Sequence, residues 1–302
     1  MAKKDKKIES VSASPVGMQV IIREFKKDKL AMLSFFLLVI TIGGIFIYTW
    51  ERLGFIDQDT IMRVSLRDKF SEPGEKFILG ADLGGREVLG QLLIGARNSM
   101  AIAMAITLIT CSFGILVGLI CGYFGGWIDN LFMRIIDFFM TIPSTMIIIV
   151  FITIVPVYNK WTFIAIMSLF LWTGTARLVR AKALTESRRD YVNASKTVGT
   201  RNIVIILKEI MPNLSSILIV ELTLNFAGNV GIETGLSFLG FGLPPTTPSL
   251  GTLVAAAMNP LVLSEKWWVW MPAAALILFL MLAINYVGQA LRRSADVRQR
   301  LG

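Results

Sequence analysis

The stretch SMAIAMAITLITCSFGILVGLICG, residues 99–122, carries no charged side chain. A helix rises 1.5 Å per residue, so such a run covers about 36 Å, enough to cross the roughly 30 Å hydrocarbon core of a bilayer. No water is available there to satisfy the backbone, and an unbroken apolar run therefore reads as a helix. A barrel strand would alternate apolar and polar residues instead. Working outward, comparable runs cover 30–50, 128–155 (interrupted by Pro143), 161–179, 213–236 and 267–287. The composition agrees, with 54% hydrophobic residues, 17% charged residues and a mean hydropathy of +0.66. The expected fold is an all-α membrane protein with six transmembrane helices. The first run follows 29 residues and precedes no Ala-x-Ala site, so it reads as a retained helix rather than a cleaved signal.

Net charge is +9, which by itself would suit nucleic acid. In a membrane protein the surplus sets orientation, because Lys and Arg collect on the cytoplasmic side. The 1–29 and 292–302 tails and the 180–212 loop, with Arg177 at its edge, hold 20 Lys and Arg, against 9 in the loops between. The expected orientation is both termini inside, no nucleic-acid partner, and segments 51–98 and 237–266 outside. The chain then divides into a cytoplasmic tail 1–29, a first helix 30–50, an extracytoplasmic segment 51–98, a core 99–291 holding five helices and the 180–212 loop, and a tail 292–302.

Several function classes fall away. There is no histidine, and the two cysteines, Cys111 and Cys121, lie ten residues apart on one apolar run. That is about 15 Å along a helix, too far to pair. No catalytic, cofactor or metal site is expected. No Gly-x-x-x-x-Gly-Lys-Ser/Thr loop occurs, nor any Gly-Lys dipeptide. ATP is expected to be held by another chain.

The 180–212 loop is the most informative polar stretch. Tyr191, Ala194, Ser195 and Val198 fall at helical spacing and predict a short helix with one less polar face. Gly199 suits its C-terminal cap. Ile203, Ile206, Leu207 and Ile210 predict a second stripe, and Pro212 suits a helix start. Asn193-Ala194-Ser195, Gly199 and Met211-Pro212 resemble the EAA loop of ABC importer permeases, with Asn193 in place of the usual Glu and Met211 in place of Leu. Three further stretches are similar to one branch of that family, the oligopeptide/dipeptide permeases. They are Gly80-Ala81-Asp82 with Gly85-Arg86-Glu87-Val88, the Gly122 to Ser144 region, and Glu233 to Gly240 continuing to Pro248-Ser249-Leu250-Gly251.

The resemblance implies a type I ABC importer permease in a bacterial cytoplasmic membrane. It implies a second homologous permease, two ABC ATPase subunits and an extracytoplasmic substrate-binding protein as partners. It assigns ATPase coupling to a helix carrying Asp190, Tyr191, Asn193, Ala194, Ser195 and Gly199, with Pro212 beyond it. Oligopeptides or dipeptides are the implied cargo; nickel chelates, glutathione and signalling peptides are carried elsewhere in the branch.

One feature is legible without any family. Glu221, Asn225, Asn229 and Glu233 recur every four residues, forming a polar stripe about 18 Å long. A carboxylate at mid-bilayer costs at least about 2.5 kcal/mol, so the stripe must face protein or water. It reads as lining for a translocation path, or as a hydrogen-bonded seam between helices. A transporter working alone could instead use Glu221 and Glu233 for proton coupling. Gly114, Gly118 and Gly122 have the spacing of close helix contact, and Arg134 with Asp137 reads as a mutually neutralised pair.

Overall fold

The computed structural model describes residues 18–49, 61–156, 158–244 and 247–301. The basic run at 3–7, Trp50 and the start of the 51–98 segment lie outside them. Among the described residues the chain is helical, and the one β feature is an isolated bridge between Ala81 and Glu87.

Helix α1 (Met18–Lys27) is amphipathic and meets α2 (Lys29–Tyr48) at Asp28, whose carboxylate caps α2 by accepting from Ala31 N at 3.0 Å. Arg293, near the far end of the chain, donates to the same carboxylate at 2.8 Å. Ala31, Leu38 and Ile45 recur every seven residues and form the buried seam of α2, while Leu33, Phe36, Ile40 and Ile47 remain exposed as a lipid-facing surface does. The partner of that seam is α13 (Trp267–Leu301), through Leu280, Ile284, Val287 and Ala290.

The core helices are α3 (Val88–Phe124), α6 (Lys160–Leu171) running into α7 (Thr173–Glu186), α10 (Met211–Phe238) and α13. With α2, five helical stretches are long and apolar enough to cross a membrane. The third expected span, 128–155, is broken: α4 (Gly126–Thr141) and α5 (Ser144–Ile154) meet at an 82° bend. Pro143 lacks the N–H that would continue the ladder and pushes Ile142 into extended backbone, φ −100° and ψ 130°. The interruption at Pro143 is therefore a break of nearly a right angle.

The glycine stripe behaves as its spacing suggests. A Cβ on Gly114, Gly118 or Gly122 would lie 2.8 Å from Trp172 O, 2.7 Å from Ala176 O and 2.6 Å from Ala183 Cβ respectively. The backbones of α3 and α7 are therefore as close as helices come.

Two boundaries and one ion pair differ from the sequence expectation. Helix α3 begins at Val88, so the last turns assigned to the 51–98 segment are helical. The fifth span starts not at Asn213 but at α9 (Asn202–Ile205), and passes through a π-helical stretch, Ile206–Ile210, into α10. A π stretch just ahead of a proline lets helical backbone continue past a residue with no N–H to donate. Finally, Asp137 pairs with Arg177 of α7 rather than with Arg134 one turn away on its own helix.

Candidate functional site: the α8 bracket and the polar stripe

The 180–212 loop folds as a bracket at one end of the bundle. Helix α8 (Asp190–Thr197) places an acid in its first turn and Lys196 in its last, matching the charge of the helix ends. Gly199 follows with φ +85°, a left-handed conformation that closes the helix by way of Thr200 N donating to Ser195 O at 3.0 Å.

Val192 anchors α8. It is fully buried among Val179 and Ala183 of α7, Leu119 and Tyr123 of α3, and Ile205, Ile206 and Ile210. The expected less polar face is turned away from this cluster: Val198 is 85% exposed, and Tyr191 and Ala194 are exposed too. The second stripe is rotated likewise, with Ile206 and Ile210 buried but Ile203 and Leu207 exposed.

Polar contacts clamp the bracket on three sides. Tyr191 Oη donates to Glu186 Oε1 at 2.9 Å, tying α8 to α7. Asn213 Nδ2 donates to Tyr191 Oη at 3.1 Å and to Glu209 O at 2.9 Å, tying it to α10. Ser195 Oγ donates to Glu209 Oε1 at 2.8 Å. Partial burial, with Glu186 next to it, pushes the Tyr191 hydroxyl up to about 12. Tyr123 Oη donates to Asn202 Oδ1 at 2.8 Å, and Lys196 lies 4.8 Å above the Tyr123 ring. Asp190 and Asn193 are exposed, and Asn193 reaches only Arg188 O at 3.4 Å. Pro212 sits inside the helical run.

Sequence reasoning missed Glu186, Glu209 and Tyr123. Glu209 is the least expected: Oε2 is buried without a hydrogen-bond partner among the described residues. The available signal was a lone acid in an otherwise apolar helical stripe, three residues before Pro212.

The polar stripe on α10 is engaged along its whole length. Glu221 Oε1 accepts from Asn225 Nδ2 at 2.9 Å and from Thr175 Oγ1 of α7 at 3.2 Å. Asn229 Nδ2 donates to Thr107 Oγ1 of α3 at 2.8 Å and is 4% exposed. Glu233 is fully buried and accepts from Ser237 Oγ at 2.9 Å, with Ser99, Thr234 and Ser249 around it. In this conformation Asn229 and Glu233 face protein, while Glu221 and Asn225 are half-buried.

The opposite end of the bundle is held by a tight turn. Asp82 accepts from Gly84 N at 2.8 Å, Arg86 N at 3.0 Å and Gln91 Nε2 at 3.0 Å, and pairs with the Arg86 guanidinium at 2.8 Å. Gly85, with φ +70°, passes so close to Ser65 O that a Cβ there would lie 1.9 Å from it. The 237–253 segment folds back onto α3 through Asn98 Nδ2 to Pro248 O at 2.9 Å and Leu250 N to Ser99 Oγ at 3.1 Å. Ser249 there begins α11 (Leu250–Ala255) with a capping box, and α12 (Pro260–Glu265) follows before α13.

The described residues thus form a helical membrane bundle with one clamped polar helix at its end. Residues 114–300 match the family described as "Binding-protein-dependent transport system inner membrane component", and the chain belongs to that family. It is thus a multi-pass inner-membrane permease subunit of an ABC-type importer, and nothing here supports a transporter working alone. The chain is similar to the oligopeptide transport system permease protein OppC of Lactococcus lactis subsp. lactis, at 52% identity over 91% of this chain and 93% of the relative. It is also similar to the OppC protein of Mycobacterium bovis, at 34% identity over 76% of this chain and 78% of the relative.

Proposed function

We propose that this chain forms half of a translocation pathway for oligopeptides, paired with a second related permease and driven by two separate ATPase subunits. The oligopeptide transport systems to which its relatives belong support the cargo. The family's dependence on a binding protein supports delivery of cargo from outside, at the 51–98 and 237–266 end. The excess of Lys and Arg at the α8 end supports its orientation toward the cytoplasm.

The observation that carries the coupling role is the three-sided clamp on α8. Val192 is buried while Tyr191 and Ser195 are hydrogen-bonded to Glu186, Asn213 and Glu209. Force applied to the exposed face of α8, at Asn193, Ala194 and Val198, therefore passes to α7 and α10 together. Those two helices also carry the Thr175–Glu221–Asn225 contacts, so the half-buried part of the stripe is the part best placed to meet cargo when the helices shift. Docked ATPases, closing on ATP, would supply the force.

The test is reconstitution. The full assembly in liposomes should take up labelled oligopeptide only with ATP inside and binding protein outside. A cysteine at Val198 should crosslink to the ATPase and not to an external reagent. Uptake driven by an ion gradient through this chain alone would overturn the reading.

A further inference from the structure

A cavity unrelated to α8 lies at the other end of the bundle. It is about 560 Å³ and opens between the start of α3 and the start of α6. Its rim holds two cations, Arg97 and Lys160, and neither forms an ion pair among the described residues. Ala101, Ile102, Ala105 and Ile164 line its wall beside Asn98, Asn159 and Thr247, and Asn98 and Asn159 are already hydrogen-bonded, to Pro248 O and to the first turn of α6. Trp161, 68% exposed, stands at the mouth.

Two further facts select the ligand. This end of the bundle is poor in positive charge, 9 Lys and Arg against 20 at the other, so two of them on one groove is a local concentration. Beyond this wall the exposed surface continues apolar, through Met104, Leu108 and Leu116 on α3 and Leu169 on α6. A peptide path would need polar partners deeper in; a hydrocarbon chain needs none. A cationic rim, an interfacial indole and an apolar runway match an amphiphile with an anionic head.

We infer that the Arg97/Lys160 groove is a binding site for an anionic phospholipid. The phosphate would sit between the two side chains, and an acyl chain would lie along Ala101, Ala105 and Leu108. Lys and Arg near a membrane surface each strengthen binding of an anionic lipid several-fold. The inference stands apart from the cargo and coupling assignments.

The test uses the complete transporter in nanodiscs and a phosphatidylglycerol bearing a diazirine midway along its acyl chain. Labelling should map to residues 101–108 of α3 and 164–169 of α6. It should exceed labelling by the matching phosphatidylcholine probe, and fall at least about tenfold in the Arg97→Gln/Lys160→Gln variant. An Arg67→Gln/Lys69→Gln variant should label like wild type. Equal labelling by both probes, unchanged labelling in the double variant, or displacement by inorganic phosphate or by cargo peptide would overturn the site. Absence of label in the wild-type complex would mean that the second permease covers the groove, which also overturns it. The wild-type map does not depend on how the variants fold.

Discussion

Ser195 on α8 donates its hydroxyl to Glu209 Oε1 at 2.8 Å, across the turn that Gly199 makes. The bond joins the exposed bracket helix to the π-helical stretch that leads into α10. With the Asn213–Tyr191 bond, it links the surface proposed to meet an ATPase to the helical run that carries the buried polar stripe.

Removing that link should uncouple rather than unfold. Ser195→Ala leaves Glu209 Oε1 without its partner, and Oε2 already lacks one. Loss of a hydrogen bond to a charged group costs about 1.5–3 kcal/mol, which strains the Glu209 segment while the Val192 anchor remains. The expected outcome is a several-fold fall in peptide transported per ATP hydrolysed, with hydrolysis largely kept. A parallel fall of both rates would instead mean that Ser195 serves docking alone.

Tyr191 gives the bracket an alkaline limit. Its hydroxyl is held up at about 12, above the ordinary tyrosine value of about 10, because burial and Glu186 disfavour the phenolate. The folded value is raised, so the contribution of this group is fully present below about pH 10 and is lost as pH rises toward 12. Spectrophotometric titration of wild type against Tyr191→Phe should show one tyrosinate transition missing near pH 12 rather than near 10.

The α3–α7 contact should tolerate no side chain. Gly118→Ala places a methyl 2.7 Å from Ala176 O and Val179 Cβ, and overpacking of this kind costs about 1–3 kcal/mol. Gly174→Ala, on α7 where a Cβ meets nothing within 4 Å, should be neutral or stabilising by up to about 1 kcal/mol. The free, buried Cys111 and Cys121 lie on α3 itself, so a thiol-reactive dye reports the melting of this contact in detergent.

Asp129 of α4 and Arg180 of α7 form a bidentate pair, with Nε to Oδ1 at 2.8 Å. The Asp side chain is 10% exposed and the Arg 30%, so solvent screens the pair only in part. Asp129→Asn should cost about 1–3 kcal/mol, below the full value for a buried pair because the Arg tip reaches water. Exchanging the two residues should recover part of the loss in a double-mutant cycle read by melting temperature.

The two halves of the polar stripe should separate by mutation. Asn229→Leu alone leaves the buried Thr107 hydroxyl without its donor, whereas Asn229→Leu with Thr107→Val replaces the pair by apolar contact. The double variant should melt near wild type and transport the same peptides. Asn225→Leu, at the half-buried end, should change uptake. If Asn229→Leu/Thr107→Val shifts peptide preference in a competition assay, Asn229 meets cargo in another conformation.

Much of this was legible in the chain itself. Long apolar runs must be helices in lipid, so the spans around 30–50, 99–122, 161–179 and 267–287 followed from backbone hydrogen bonding alone. The glycine spacing announced a close helix contact on α3, though not that α7 makes it, and Gly199 announced the end of α8, because both depend on the absence of a Cβ. Other features escaped. Asp137 chose Arg177 over Arg134, and α8 turned Val192 inward rather than the 191/194/195/198 face.

What the sequence by itself determined was therefore whatever is dictated locally: which segments lie in the membrane, where α8 ends, and that Pro143 interrupts one span. Only the tertiary structure decided which polar groups meet. Glu209 finding Ser195, Asn229 finding Thr107 over 122 residues, and Asp129 finding Arg180 over 51 depend on how helices rotate about their own axes. That rotation is set by packing against several neighbours at once, and periodicity within one helix does not contain it.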